Sequence, residues 1–347
     1  MADFNVNHIT GKQGQQGTVL AGVTTVSSTG SMRIPSGPTE QRGGRGRGVF
    51  CGGYYGAAPS PNNIDDSMDY VEIATTGNAT DFGDMAHNAA KQGSVSSSTR
   101  GVTGTGISPG VTTKMQYVTI SSQGGGSIFG DLSFGRQHPF AASNSTRGIF
   151  AAGYDSISFN VIEYITISTL GDSSDFGDLT LSRWGAGGGR ASTTRMLCIA
   201  GATPSAVDII DYMEIATKGN AQDFGELSGS LSGYGMGCGN VASTTRTVTL
   251  GGNDSGGSDR NDIHYLTFAT KGNSIDFGNL LATTRGGGST SSQTRGLLAG
   301  GRTPTQVNTI QYITIATTGN ATDFGDSTRI CAFNNAGLSD VHGGLGD

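Results

Sequence analysis

Acidic, basic and nucleophilic side chains recur along this chain at fixed intervals, and the intervals decide what chemistry they could perform. Asp-Phe-Gly occurs five times, at Asp81, Asp175, Asp223, Asp276 and Asp323. In phosphotransferases that triplet holds Mg2+, but only beside a glycine-rich nucleotide loop, a strand lysine and a catalytic loop; none accompanies it here. A second acid follows at Asp84, Asp131, Asp178, Glu226 and Asp326, with Asn279 in the remaining copy. Such carboxylates could ring one face and bind cations, or act as acceptors in solvated turns. The histidines, His8, His87, His138, His264 and His342, show no zinc-pair spacing. Cys51, Cys198, Cys238 and Cys331 form no C-x-x-C pair and read as buried thiols. One arginine per repeat (Arg100, Arg147, Arg195, Arg246, Arg295) reads as a structural donor, because a residue present in every unit marks the scaffold. No strand-to-helix nucleophile elbow is read in the chain, and no phosphate loop occurs. No catalytic, cofactor-binding or metal-ligating residue is assigned, and the chain is read as a non-enzyme.

These residues are positioned by a repeat. Phe-Gly recurs at Phe82, Phe129, Phe176, Phe224, Phe277 and Phe324, at intervals of 47, 47, 48, 53 and 47. Twelve residues before each lies Tyr70, Tyr117, Tyr164, Tyr212, Tyr265 or Tyr312. The residue two before the tyrosine is always apolar (Met68 to Ile310), and the one directly before it always polar: Asp69, Gln116, Glu163, Asp211, His264, Gln311. With apolar residues also on the other parity, such as Ile165 and Ile167, this is a strand covered on both faces. An unbroken glycine column follows (Gly77, Gly124, Gly171, Gly219, Gly272, Gly319), mostly with Asn behind it, the signature of a tight hairpin leading to the Phe strand. Upstream lies a strand ending in small residues, as in Arg295-Gly-Leu-Leu-Ala-Gly-Gly301, and before that a fourth strand of small residues, for instance Ala186 to Ser192.

Four antiparallel strands at a period near 50 residues resemble a kelch-type β-propeller unit. The Gly doublet is present at Gly52-Gly53, Gly251-Gly252 and Gly300-Gly301, while the second aromatic is Phe where kelch units carry Trp, and the sole Trp184 lies outside that column. The expected fold is all-β: a six-bladed kelch-like β-propeller over residues 47–347 with an N-terminal extended arm. Bulk composition agrees. Glycine numbers 59 of 347, hydrophobic residues reach 34% and charged ones 14%, which excludes helix bundles and leaves glycine the task of letting sheets crowd an axis. A net charge of −6 disfavours nucleic acid as a partner, and no apolar run is long enough for membrane insertion. The start, Met1 to Asn7, carries no signal-peptide pattern.

A ring must close. The first unit, from about Arg47, lacks its small-residue strand, and the tail, about residues 331–347, resembles one; the tail is expected to complete blade one. Cys51 and Cys331 would then share a blade, with no disulfide implied. Residues 1–46 do not fit the repeat. They contain an extended run, Thr18 to Val26, a Pro35-Ser-Gly-Pro38 breaker and a small basic Arg42-Gly-Gly-Arg-Gly-Arg-Gly48 patch read as a connector, and are taken as a docking arm and linker.

Units such as Tyr312-Ile-Thr-Ile-Ala-Thr-Thr-Gly-Asn-Ala-Thr-Asp-Phe-Gly-Asp326 are similar to those of propeller proteins of tailed phages, particularly of marine cyanobacteria. Phe4-Asn-Val-Asn-His-Ile-Thr-Gly11, Pro35-Ser-Gly-Pro-Thr-Glu40 and His342-Gly-Gly-Leu345 fit as well. The resemblance implies a virion structural protein associated with the tail, baseplate or a fibre, localised to the virion, and docked to other virion proteins through residues 1–46. The alternative is an adhesin whose variable loops, including Tyr54 to Asn63 and Asn253 to Asp262, bind a host-surface glycan or protein receptor. A glycan-processing enzyme is a third class, for which no acid pair stands out.

Overall fold

Within each repeat the columns fold as four antiparallel strands, and the third copy shows the plan. Its strands are Phe140–Ser143, Arg147–Ala151, Val161–Thr166 and Ser174–Asp178, ordered from the inside outward. The first turn is set by Asn144, whose side-chain oxygen accepts from the N–H groups of Thr146 and Arg147 at 3.0 and 2.8 Å. Ser97, Ser192, Ser243 and Ser292 accept from the arginine N–H of their own copies in the same way. A short acceptor bonding its own backbone favours this turn over a continued strand, which accounts for the Ser/Asn-x-Thr-Arg pattern.

Six such sheets stand around an axis as a β-propeller. The computed structural model describes residues 46–55, 63–185, 190–228, 239–254, 256–332 and 336–346. The arm, apart from Gly46, lies outside them, as do most of the Tyr54–Asn63 loop, residues 186–189 and Cys238. The innermost strands after blade one are Gly93–Ser96, Phe140–Ser143, Arg190–Ala191, Gly239–Ala242 and Gly288–Ser291.

Every blade buries both faces. Ile165 and Ile167 of blade three pack with Val95, Met115 and Phe129 of blade two. On the opposite face Ile162 and Phe176 pack with Met196, Met213 and Ile215 of blade four. The sixth layer joins Leu297, Ile310 and Phe324 of blade six to Phe50, Val71 and Ile73 of blade one. The apolar core is thus divided among the seams between blades, and no blade has one of its own.

The tail seals the ring as expected. Ala336–Ser339 pairs antiparallel with Gly48 to Cys51, and Cys331–Ala332 pairs with Tyr54 and Tyr55. Asp340 then reproduces across the two ends of the chain the turn made elsewhere by Ser or Asn. Its carboxylate accepts from Arg47 N–H at 2.8 Å, and its own N–H donates to the Arg47 carbonyl at 3.4 Å. Leu338, 1% exposed, fills the layer between blades one and two, a burial that stabilises by about 1.5–3 kcal/mol. Removing residues from Cys331 onward therefore takes the innermost strand from blade one and bares an apolar seam. The expected outcome is loss of the single cooperative unfolding transition in calorimetry; a truncated chain that melts like the full one contradicts this closure.

Candidate binding face

Arg, Tyr and Phe of each repeat form one stack on the face where the Thr-Arg turns lie. In blade three the Arg147 guanidinium sits 4.5 Å from the Tyr164 centroid, and Tyr164 meets Phe176 edge-on at 6.1 Å. All other blades repeat both contacts. Each arginine also crosses its seam: Arg147 Nη1 donates to the Ile215 carbonyl at 2.6 Å, and Arg295 Nη1 to that of Ile73 at 2.9 Å. Further out, the hairpin glycine of one blade donates to the Phe carbonyl of the blade before it, as Gly171 does to Phe129 at 3.0 Å and Gly77 to Phe324 at 2.8 Å. The residue after that glycine joins in, with Asn220 Oδ1 accepting from Asp178 N–H at 3.1 Å and Asn78 Oδ1 from Asp326 N–H at 3.0 Å. The glycine after each Phe is demanded by this approach. A Cβ on Gly83 (φ 129°) would lie 2.8 Å from the Gly124 carbonyl oxygen, and the other five seams are tighter.

The repeated acids are dispersed. The Asp of Asp-Phe-Gly is exposed on the outermost strand in all five copies, where a turn acceptor was expected. Of the second acids, Asp131 accepts from Thr113 Oγ1 at 2.7 Å and pairs with Lys114, and these partners hold its carboxyl below the usual range. Among the described residues no three metal-ligating side chains come together. The polar column before the tyrosine instead points inward. Glu163 and Asp211 form buried ion pairs with Arg136 and Arg183 at 2.7 and 2.8 Å. Burial pushes Arg136 down to about 10, against the opposing pull of Glu163. These two pairs were not singled out in the sequence, although an arginine lies in the connector before each of these two acids. Cys51, Cys198 and Cys331 are free thiols, and burial raises all of them, Cys331 to about 12, so they are protonated and unreactive near neutrality.

The axis is closed by the protein itself. Innermost strands of adjacent blades are linked by hydroxyls: Ser96 Oγ donates to the Ser339 carbonyl at 2.8 Å, Ser143 Oγ to that of Ser96 at 2.8 Å, and Ser291 Oγ to that of Ala242 at 3.0 Å. The space left at the axis measures about 30 Å3, with Arg190 and His342 in its wall. That admits water and nothing larger. One end is covered by the tail, whose 3-10 turn Gly343–Leu345 crosses the axis. His342 Nε2 donates to the Ser96 carbonyl at 2.8 Å while Nδ1 accepts from Gly344 N–H at 3.1 Å, which fixes one neutral tautomer. Gln293 Nε2 donates to the carbonyls of His342 and Gly346 at 3.0 and 3.2 Å, tying the turn to blade six.

The opposite face carries what differs between copies. There, in the five blades whose entering connector is described, the connector pairs with the residue just beyond the Gly-doublet position, and the paired residues are Ala90 and Ile107, Gln137 and Tyr154, Trp184 and Ala202, Arg285 and Arg302, Ala332 and Tyr54. The bridge recurs while the residues that form it vary. The chain matches no protein-family model and no curated protein. The sequence directed attention to Tyr54–Asn63 and Asn253–Asp262 on this face, but the half-buried Trp184, ringed by Tyr154 and His138, was passed over because it belongs to no column.

Two outcomes follow. Gly278→Ala, forced against the Gly319 carbonyl, should cost more than about 2 kcal/mol in denaturant unfolding, while Asp276→Ala, two residues away and exposed, should stay within about 0.5 kcal/mol. The second concerns pH. Burial, aided by Arg190, pushes His342 from 6.5 down to about 4, and burial pushes His138 to about 3. The unfolded chain then binds more protons between these values and 6.5, so stability is full above pH 6.5 and falls as pH drops toward 4. Tm measured across that range should decline, and His342→Gln should flatten the decline.

Proposed function

We propose that this protein is a structural component of a tailed-phage particle, a propeller associated with the tail, baseplate or a fibre that is held through residues 1–46 and turns its variable loops outward. The observation that carries the reading is the opposition of its two faces. Gly46, where the arm joins, lies on the face of the Thr-Arg turns and the tail plug, beside a cleft of about 380 Å3 lined by Ile73, Arg295 and Val341. The loops that differ between copies lie on the other face. A rigid ring with an attachment side and a display side suits a particle component, and the resemblance to phage propeller proteins supplies the kind of particle.

Host-surface binding is the second reading, favoured by the aromatic group around Trp184 on the display side. Cryo-electron microscopy of the particle tests the first. The arm should be buried in a neighbouring virion protein with the Trp184 face toward solvent, and deletion of residues 1–45 should abolish incorporation while leaving the melting temperature unchanged. Loops buried between virion proteins, or incorporation without the arm, would contradict it.

A further inference from the structure

We infer that Trp184 and Tyr154, with Gln137, Lys91 and Asp155 around them, form a binding platform for one neutral pyranose ring of a polysaccharide. The inference rests on the display face being the outward one and is independent of which particle carries it. Both rings are held by their backbones. Trp184 exchanges hydrogen bonds with Ala202 at 3.1 and 2.8 Å, and Tyr154 with Gln137 at 2.9 Å in each direction. The rings lie 5.7 Å apart, inclined at 48°, and both are partly open to solvent. Behind Trp184 stands His138, 5.5 Å away and 4% exposed, which is neutral at any working pH and so braces the indole without adding charge.

Polar groups flank the rings. Lys91 Nζ donates to Gln137 Oε1 at 2.9 Å, which leaves the amide nitrogen of Gln137 as a donor. Asp155, next to Tyr154, is an exposed acceptor. Aromatic faces that take the C–H side of a sugar, with amide, ammonium and carboxylate at the rim for its hydroxyls, match a pyranose in both size and polarity. Lys91 disfavours a cationic ligand, and the net charge of −6 disfavours a nucleic acid. A protein partner would need roughly 800 Å2 of covered surface per side, and the one strongly exposed large apolar residue on the adjoining hairpin is Ile157.

That hairpin departs from its counterparts. Tyr154–Asp155 pairs with Ile157–Ser158 around Ser156, which holds φ 61°. In blades four and six the corresponding tips are Pro204 and Pro304, and proline cannot take a positive φ. Among the described hairpin tips, that of the blade bearing the aromatic pair is the one with a non-glycine residue at positive φ, and such local strain points to a functional loop.

Trp184 is the sole tryptophan of the chain, so its emission reports on this platform alone. The full chain is titrated with methyl α-mannopyranoside, methyl β-glucopyranoside and methyl β-galactopyranoside, each to about 100 mM, since a single shallow site is expected near the millimolar range. A saturable change in emission with at least one sugar is expected. Tyr154→Ala and the exposed Asp155→Ala should weaken that binding tenfold or more, with circular dichroism unchanged, while Tyr55→Ala on blade one should leave it intact. No saturable change with any of the sugars, or binding insensitive to both Tyr154→Ala and Asp155→Ala, overturns the inference. So does an emission change produced only by a host surface protein stripped of glycan.

Discussion

The close approach of two backbones at each seam is the constraint on which this molecule depends. A four-stranded blade here is apolar on both faces and stable only between two neighbours, so six blades must meet with no gap. The glycine after Phe in one blade and the hairpin glycine of the next come together where a side chain on the first would strike the carbonyl of the second. Once they meet, the Phe carbonyl, the Asn side chain and the arginine all find partners across the seam. The Tyr-to-Phe spacing is constant because lengthening that segment would separate these partners, whereas the rest of the repeat varies in length.

Closure extends the same logic to the ends of the chain. Residues near the C-terminus supply the first blade with its innermost strand, Asp340 stands in for the turn residue that the chain break removes, and the turn after it lies across the axis. Propellers often use the axis as a ligand channel; in this one hydroxyl bridges and the His342 turn occupy it.

The architecture was legible because columns report on backbone and packing demands common to all copies. Phe82 and its equivalents, the hairpin glycines and the missing strand of blade one were all read correctly from spacing. What misled was the assumption that a repeated polar residue serves its own turn. The Asp of Asp-Phe-Gly serves no turn, while Asn78 and its equivalents act across the seam, a relation visible only after the blades are assembled. Arg136 and Arg183 were hidden for a different reason: their partners Glu163 and Asp211 lie 27 and 28 residues away, and burial of the pair depends on the connector folding under the next blade. The Trp184 group lies outside the columns because it is built from residues that the copies do not share.

Amide hydrogen exchange on the intact protein tests the central claim, that six equivalent seams close one ring, most directly. The N–H groups of Gly124, Gly171, Gly219, Gly272 and Gly319 each bond a neighbouring blade, and Gly77 bonds Phe324 at the far end of the chain. All six should exchange together, at the rate of global unfolding. Fast exchange at Gly77 with the other five protected would mean that the ring stands open between blade six and blade one, and would contradict the account.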